Sequence, residues 1–154
     1  MPKLLTRYFG EIEYDESRII NFPQGLPGFP DDKRFLFMSE NDDEDTFFWL
    51  QSVDNGQAAF TLMNVYNVLP EYDPRVDEEE MAELGEIQGR ALEIYNIVVI
   101  PDDVKEMRVN LMAPVVINMQ AGIGKQILCT NDDYQIRYMI FDDLKRKEAG
   151  KKSC

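Results

Sequence analysis

The apolar residues of this chain come in short runs, one after another, and never in a long block of helical period. "RIINF", "RFLFM", "TFFWLQ", "AAFTLMNV", "LEIYNIVVI", "RVNLM", "PVVINM", "KQILC" and "YQIRYMIF" follow in order between residues 18 and 141, set apart by Gly, Pro, Asn and Asp. Regularly spaced runs rich in β-branched and aromatic residues read as strands. The pattern predicts an all-β chain, a small antiparallel barrel-like domain over residues 1–141 with a basic C-terminal tail at 142–154. Asn55-Gly56 between "FFWLQS" and "AAFTLMNV" signals a hairpin turn. Gly10 inside "RYFGEIEYD" signals a bulge or bend.

Only "DPRVDEEEMAELGEI" has helical character, and it predicts one short helix near residues 77 to 85. Asp77 can cap its start with Glu80 three residues on, and Gly85 or Gly89 can end it. "NFPQGLPGFP", residues 21 to 30, is neither helix nor central strand, since its prolines fix φ and remove donors. Two readings stand for it. It is a rigid loop whose Leu26 and Phe29 plug one end of the barrel, or an exposed apolar surface for a partner. In "FFWLQS" the alternation puts one of Phe48 and Trp49 in the core and the other outside.

Chemistry is constrained by what the chain lacks. It has no histidine, which removes the commonest acid-base catalyst and metal ligand. Of its two cysteines, Cys129 lies in an apolar run and reads as a buried thiol, and Cys154 is the last residue. "AGIGK" has the spacing of neither phosphate loop, and reads as a turn. "ENDDED" lacks the glycine and bidentate glutamate of a calcium loop. No catalytic residue, cofactor or metal is expected. No run approaches the ~20 apolar residues of a membrane span, and the N-terminus does not read as a secretory signal, so a cytoplasmic protein is expected.

The charge is unevenly spread. The chain carries 29 acidic and 16 basic residues, a formal charge of −13. Residues 71 to 88 hold Glu71, Asp73, Asp77, Glu78, Glu79, Glu80, Glu83 and Glu86 against Arg75 alone, a net of seven negative charges, and Glu40, Asp42, Asp43, Glu44 and Asp45 add five. This field would repel nucleic acid and anionic lipid and attract a basic protein. The bland alternative is a solvated helix and a solvated turn.

Four stretches in order carry a resemblance: "FPQGLPGFP", "FFWLQSVDN", "AAFTLMNVYNVLPEY" and "VNLMAPVVINMQAGIGKQILC". Together they resemble the flagellar assembly factor FliW family, from about Phe9 to about Arg137. The chain departs from the family pattern at Pro30 and at Asn64-Val65-Tyr66-Asn67. The resemblance implies a non-enzymatic β-barrel protein with two competing partners. One is flagellin; the other is CsrA, a basic RNA-binding repressor of flagellin translation. Flagellin export would free the protein to bind CsrA and relieve repression. A chain that is monomeric when free is expected, with CsrA docking on Glu71, Asp73, Asp77, Glu78, Glu79 and Glu83, and loop 40–45 contributing. Flagellin would dock on an apolar surface around Leu26, Phe29 and Trp49. The rival reading is a carboxylate-based or metal-assisted hydrolase, and a third is an acidic mimic of nucleic acid.

Overall fold

The computed structural model describes residues 1–39, 46–85, 92–131 and 133–152. Its strands are β1 (Lys3–Thr6), β2 (Gly10–Glu13), β3 (Ile19–Asn21), β4 (Arg34–Met38), β5 (Phe47–Ser52), β6 (Ala59–Met63), β7 (Leu92–Val99), β8 (Arg108–Val109), β9 (Val115–Asn118), β10 (Ile123–Gln126) and β11 (Tyr138–Met139). Helix α1 spans Glu78–Ala82, and the basic tail forms a second helix, α2, over Phe141–Lys152.

Seven strands close a barrel in the order β7-β6-β5-β4-β3-β10-β9, with β9 pairing back onto β7. Every pair is antiparallel except β3–β10, which meet in parallel at Ile123 and Asn21. A purely antiparallel barrel was the expectation, and this one parallel seam lets the last wall strands close on the first. Strand β7 is the pivot. Its Leu92–Tyr95 half pairs with β9, Asn96 and Ile97 reach β6, and Val98 and Val99 pair with β8, which carries β11 outside the barrel. β1 and β2 form a separate two-stranded hairpin.

Alternation sorts the side chains. Ile20, Phe35, Leu50, Leu62, Tyr95, Val115 and Ile117 point inward and form the barrel core with Phe22 and Leu26. Each such side chain stabilises the fold by about 1.5–3 kcal/mol on burial. Phe48 packs against this cluster, which leaves Trp49 on the outer face. A second cluster, with Tyr72, Met107, Val109 and Ile140, fills the space beneath β8 and β11, and Leu144 of α2 packs against it. Strand β9 is buried on both faces. Its outer residue Val116 joins Leu84 and Ile127 in a third cluster outside the wall.

Candidate partner-binding surfaces

The Pro/Gly stretch resolves into two successive turns. The Gly25 amide donates to Phe22 O at 2.8 Å, and the Phe29 amide donates to Leu26 O at 2.8 Å. The second turn has Pro27 at its first central position and Gly28 at φ +81° in its second, the signature of a type II turn. Gly25 is also left-handed, and a Cβ there would lie 2.5 Å from Phe29 O, so the two turns pack against each other.

The turns divide their apolar residues. Phe22 is fully buried against Phe35, edge to face, and Leu26 is 4% exposed. Leu26 therefore presents nothing to a partner: it seals the barrel, as the structural reading of this loop requires. Phe29 does not seal it. Its ring is 38% exposed and stands edge-on to Phe60 at 5.7 Å.

Trp49 points away from the core and meets Phe9 edge-on at 6.0 Å. Together with Tyr8, Met38, Ser39, Ala59 and Thr61 these two rings line a cleft of about 570 Å³ between the hairpin and the β4–β6 wall. The hairpin is seated by a hydrogen bond from the Arg7 amide to Gly56 O, 2.9 Å. Tyr8 and Leu5 on the hairpin are 59% and 74% exposed, and the cleft mixes aromatic rings with the polar side chains of Ser39 and Thr61.

The acidic stretch runs from beside Tyr72 and Tyr134 onto a different sector, the outer wall of β7, β9 and β10. It is pinned at both ends. At the front, Tyr72 is buried, donating to Leu111 O and accepting from Asn96. Burial pushes its phenol well above the usual tyrosine range. The Asp73 amide donates to Tyr134 Oη at 2.7 Å, the Arg75 amide donates to Asn131 Oδ1, and the Arg75 carbonyl accepts from the Thr130 amide. At the back, Leu84 is fully buried against Val116 and Ile127, and its carbonyl accepts from Asn118 at 2.9 Å.

Between these pins, Asp77 caps α1 by accepting from the Glu79 amide at 2.7 Å. The expected reach of Glu80 back to the cap is replaced by an ion pair with Lys125, 3.3 Å away. Glu83, beyond the last turn, binds the same ammonium. Gly85 follows in the left-handed conformation, at φ +83°, past the Glu83 C-cap of α1. Of the six carboxylates expected from the sequence to meet a basic partner, Glu71, Asp73, Asp77, Glu78 and Glu79 stand exposed, and Glu83 is exposed but turned to Lys125. Loop 40–45 and Glu86 lie outside the described residues.

A family model described as FliW protein matches residues 3–140. The flagellar assembly factor FliW of Alkaliphilus metalliredigens is 36% identical over 145 residues, covering 94% of this chain and 90% of that protein. That of Caldicellulosiruptor bescii is 38% identical over 143 residues, covering 93% of each. This chain belongs to the FliW family of flagellar assembly factors. A crystal structure of the flagellar assembly factor FliW superposes with a TM-score of 0.82 at 31% identity, covering 91% of this chain and 97% of that one.

Cys129 is buried, with its thiol pushed up by burial. Among the described residues, no three metal-ligating side chains converge, and no helix is long and apolar enough to cross a membrane. Residue patterning pointed to the acidic surface. It also named Trp49 but not Tyr8 and Phe9 across the cleft, because these come from a hairpin docked by long-range contacts.

Proposed function

We propose that this FliW-family protein binds flagellin and CsrA in the cytoplasm and antagonises CsrA, coupling flagellin synthesis to export. One observation carries the reading: an exposed carboxylate face and an aromatic cleft occupy separate sectors of one barrel wall. Asp77, Glu78 and Glu79 form the first on the β7–β9–β10 side, with Glu71 and Asp73 extending it beside Tyr72 and Tyr134. Phe9, Trp49 and Tyr8 form the second, on the β4–β6 side, and Phe29 is a separate exposed ring outside this cleft, edge-on to Phe60. A basic protein is steered by a concentrated negative field. An amphipathic flagellin helix needs an apolar groove.

Calorimetric titrations of the full chain with monomeric flagellin and with CsrA, at about 0.05 M and about 0.5 M salt, test the reading, since these span the Debye screening range. CsrA affinity is expected to fall with salt. Flagellin affinity is expected to hold with salt and to fall for Phe29→Ala and Trp49→Ala. Flagellin binding that tracks salt and ignores both substitutions refutes the assignment, as does failure of either protein to bind.

A further inference from the structure

Lys125 lies at the centre of the contact between the acidic segment and the barrel. Register places it on the outer wall, in one cross-strand row with Val116 and Ile94. Its neighbours there are apolar, and its side chain is only 10% exposed. A lysine in such a place loses most of its hydration, and an apolar residue of similar size would fill the position at less cost. What it gains is a pair of carboxylates, Glu80 and Glu83. The hydrogen bond to Glu83 holds its ammonium above the usual lysine range in spite of burial.

The helix it holds cannot hold itself. α1 has five residues, against the ~12–15 that an isolated helix needs to be even marginal. Glu79 and Glu83 are four residues apart and Glu80 and Glu83 three apart, spacings at which like charges repel across a helix face. Lys125 offsets that repulsion from below. Once Glu80 and Glu83 are drawn down to the wall, Asp77, Glu78 and Glu79 are left on the outward face.

We propose that Lys125 is the positioning residue of the acidic surface: an internal counter-ion that fixes which carboxylates are offered to a basic partner and which are withheld. The inference rests on the reading of this surface as the CsrA site, and it makes the surface preorganised rather than merely charged. Loss of Lys125 leaves long-range attraction intact, because the chain becomes more negative by one charge. It loosens only the docked geometry. The effect therefore falls on dissociation rather than association.

The test compares Lys125→Met, which keeps length and burial, and Lys125→Arg, which keeps the charge, with the unaltered chain. Surface-plasmon kinetics with CsrA are read alongside amide exchange over residues 81 to 85. For Lys125→Met the association rate is expected to be unchanged or up to about twofold faster. Dissociation from CsrA and exchange at 81–85 are each expected to be at least tenfold faster, with exchange in β5 and β6 unchanged. Lys125→Arg is expected to stay within about threefold of the unaltered chain in both. Retained slow exchange at 81–85, or faster exchange with unchanged CsrA dissociation, overturns the inference. Failure of the unaltered chain to bind CsrA overturns the underlying assignment instead, and the exchange measurement then still reports on the clamp. If Lys125→Met does not fold, the charge-exchanged variant Lys125→Glu with Glu80→Lys and Glu83→Lys serves in its place. It is expected to restore CsrA binding to within about threefold, and loss of binding in a folded exchange variant overturns the inference.

Discussion

Gly56 is the position at which one added methyl group should have the largest structural effect. A Cβ there would lie 2.1 Å from the carbonyl oxygen of Leu5 in β1, where ordinary contact begins near 3.4 Å. The hairpin would have to retreat by the difference, about 1.3 Å. The Arg7 amide, now 2.9 Å from Gly56 O, would then pass out of hydrogen-bonding reach. A lost intramolecular hydrogen bond costs about 0.5–1.5 kcal/mol and overpacking about 1–3 kcal/mol. Because the retreat trades one against the other, about 1–3 kcal/mol is expected. For a chain of this size that lowers the melting temperature by roughly 2–12 °C. Calorimetric scans of Gly56→Ala and Gly56→Asn measure it. The pair also separates two reasons for a glycine. Asn-Gly suggests a turn needing positive φ, which Asn tolerates. The left-handed residues among those described are Gly10, Gly25, Gly28, Gly85 and Gly122, and not Gly56. Close approach therefore predicts that Asn is at least as damaging as Ala. A Gly56→Asn protein melting within about 1 °C of the unaltered one, below the smallest shift expected, refutes the argument.

Leu26→Ala should cost about 2–5 kcal/mol in chemical denaturation because Leu26 seals the core, whereas Phe29→Ala should cost less and lower flagellin affinity instead. Replacing Glu71, Asp73, Glu78 and Glu79 together by Lys should leave circular dichroism unchanged and weaken CsrA binding, with about 0.2–1 kcal/mol lost per exposed pair and hence roughly fivefold to a thousandfold in all, measured by calorimetry. Stability should fall in alkali. Burial raises Tyr72 and Tyr95 above their ordinary 10.0, and the Glu83 bond raises Lys125 above 10.5. The unfolded chain thus releases these protons first, and stability that is full below about pH 10 is lost as pH rises through the folded values. A denaturation midpoint equal at about pH 8 and about pH 11 would contradict this linkage.

Strand character, the short helix and the charge segregation were legible from residue order, because each depends on local backbone preference and period. Pro27-Gly28 specifies its turn wherever it stands. Asp77 caps α1, and Gly85, past the Glu83 C-cap, takes the positive φ that glycine tolerates best. Spacing reserved Glu80 for the helix cap, and the fold gives it to Lys125, more than forty residues away. Leu26 and Phe29 look equivalent in sequence and face each other across one turn, yet Leu26 packs into the barrel core and Phe29 is left exposed against Phe60. Gly56 matches a turn motif and is required for the approach of a hairpin formed fifty residues earlier. The parallel β3–β10 seam and the shared pairing of β7 likewise have no local signature. Backbone conformation is set by neighbours in the chain. Which charge is neutralised, which ring is left exposed and which glycine is crowded are set by register between distant strands, and that exists only once the barrel has closed.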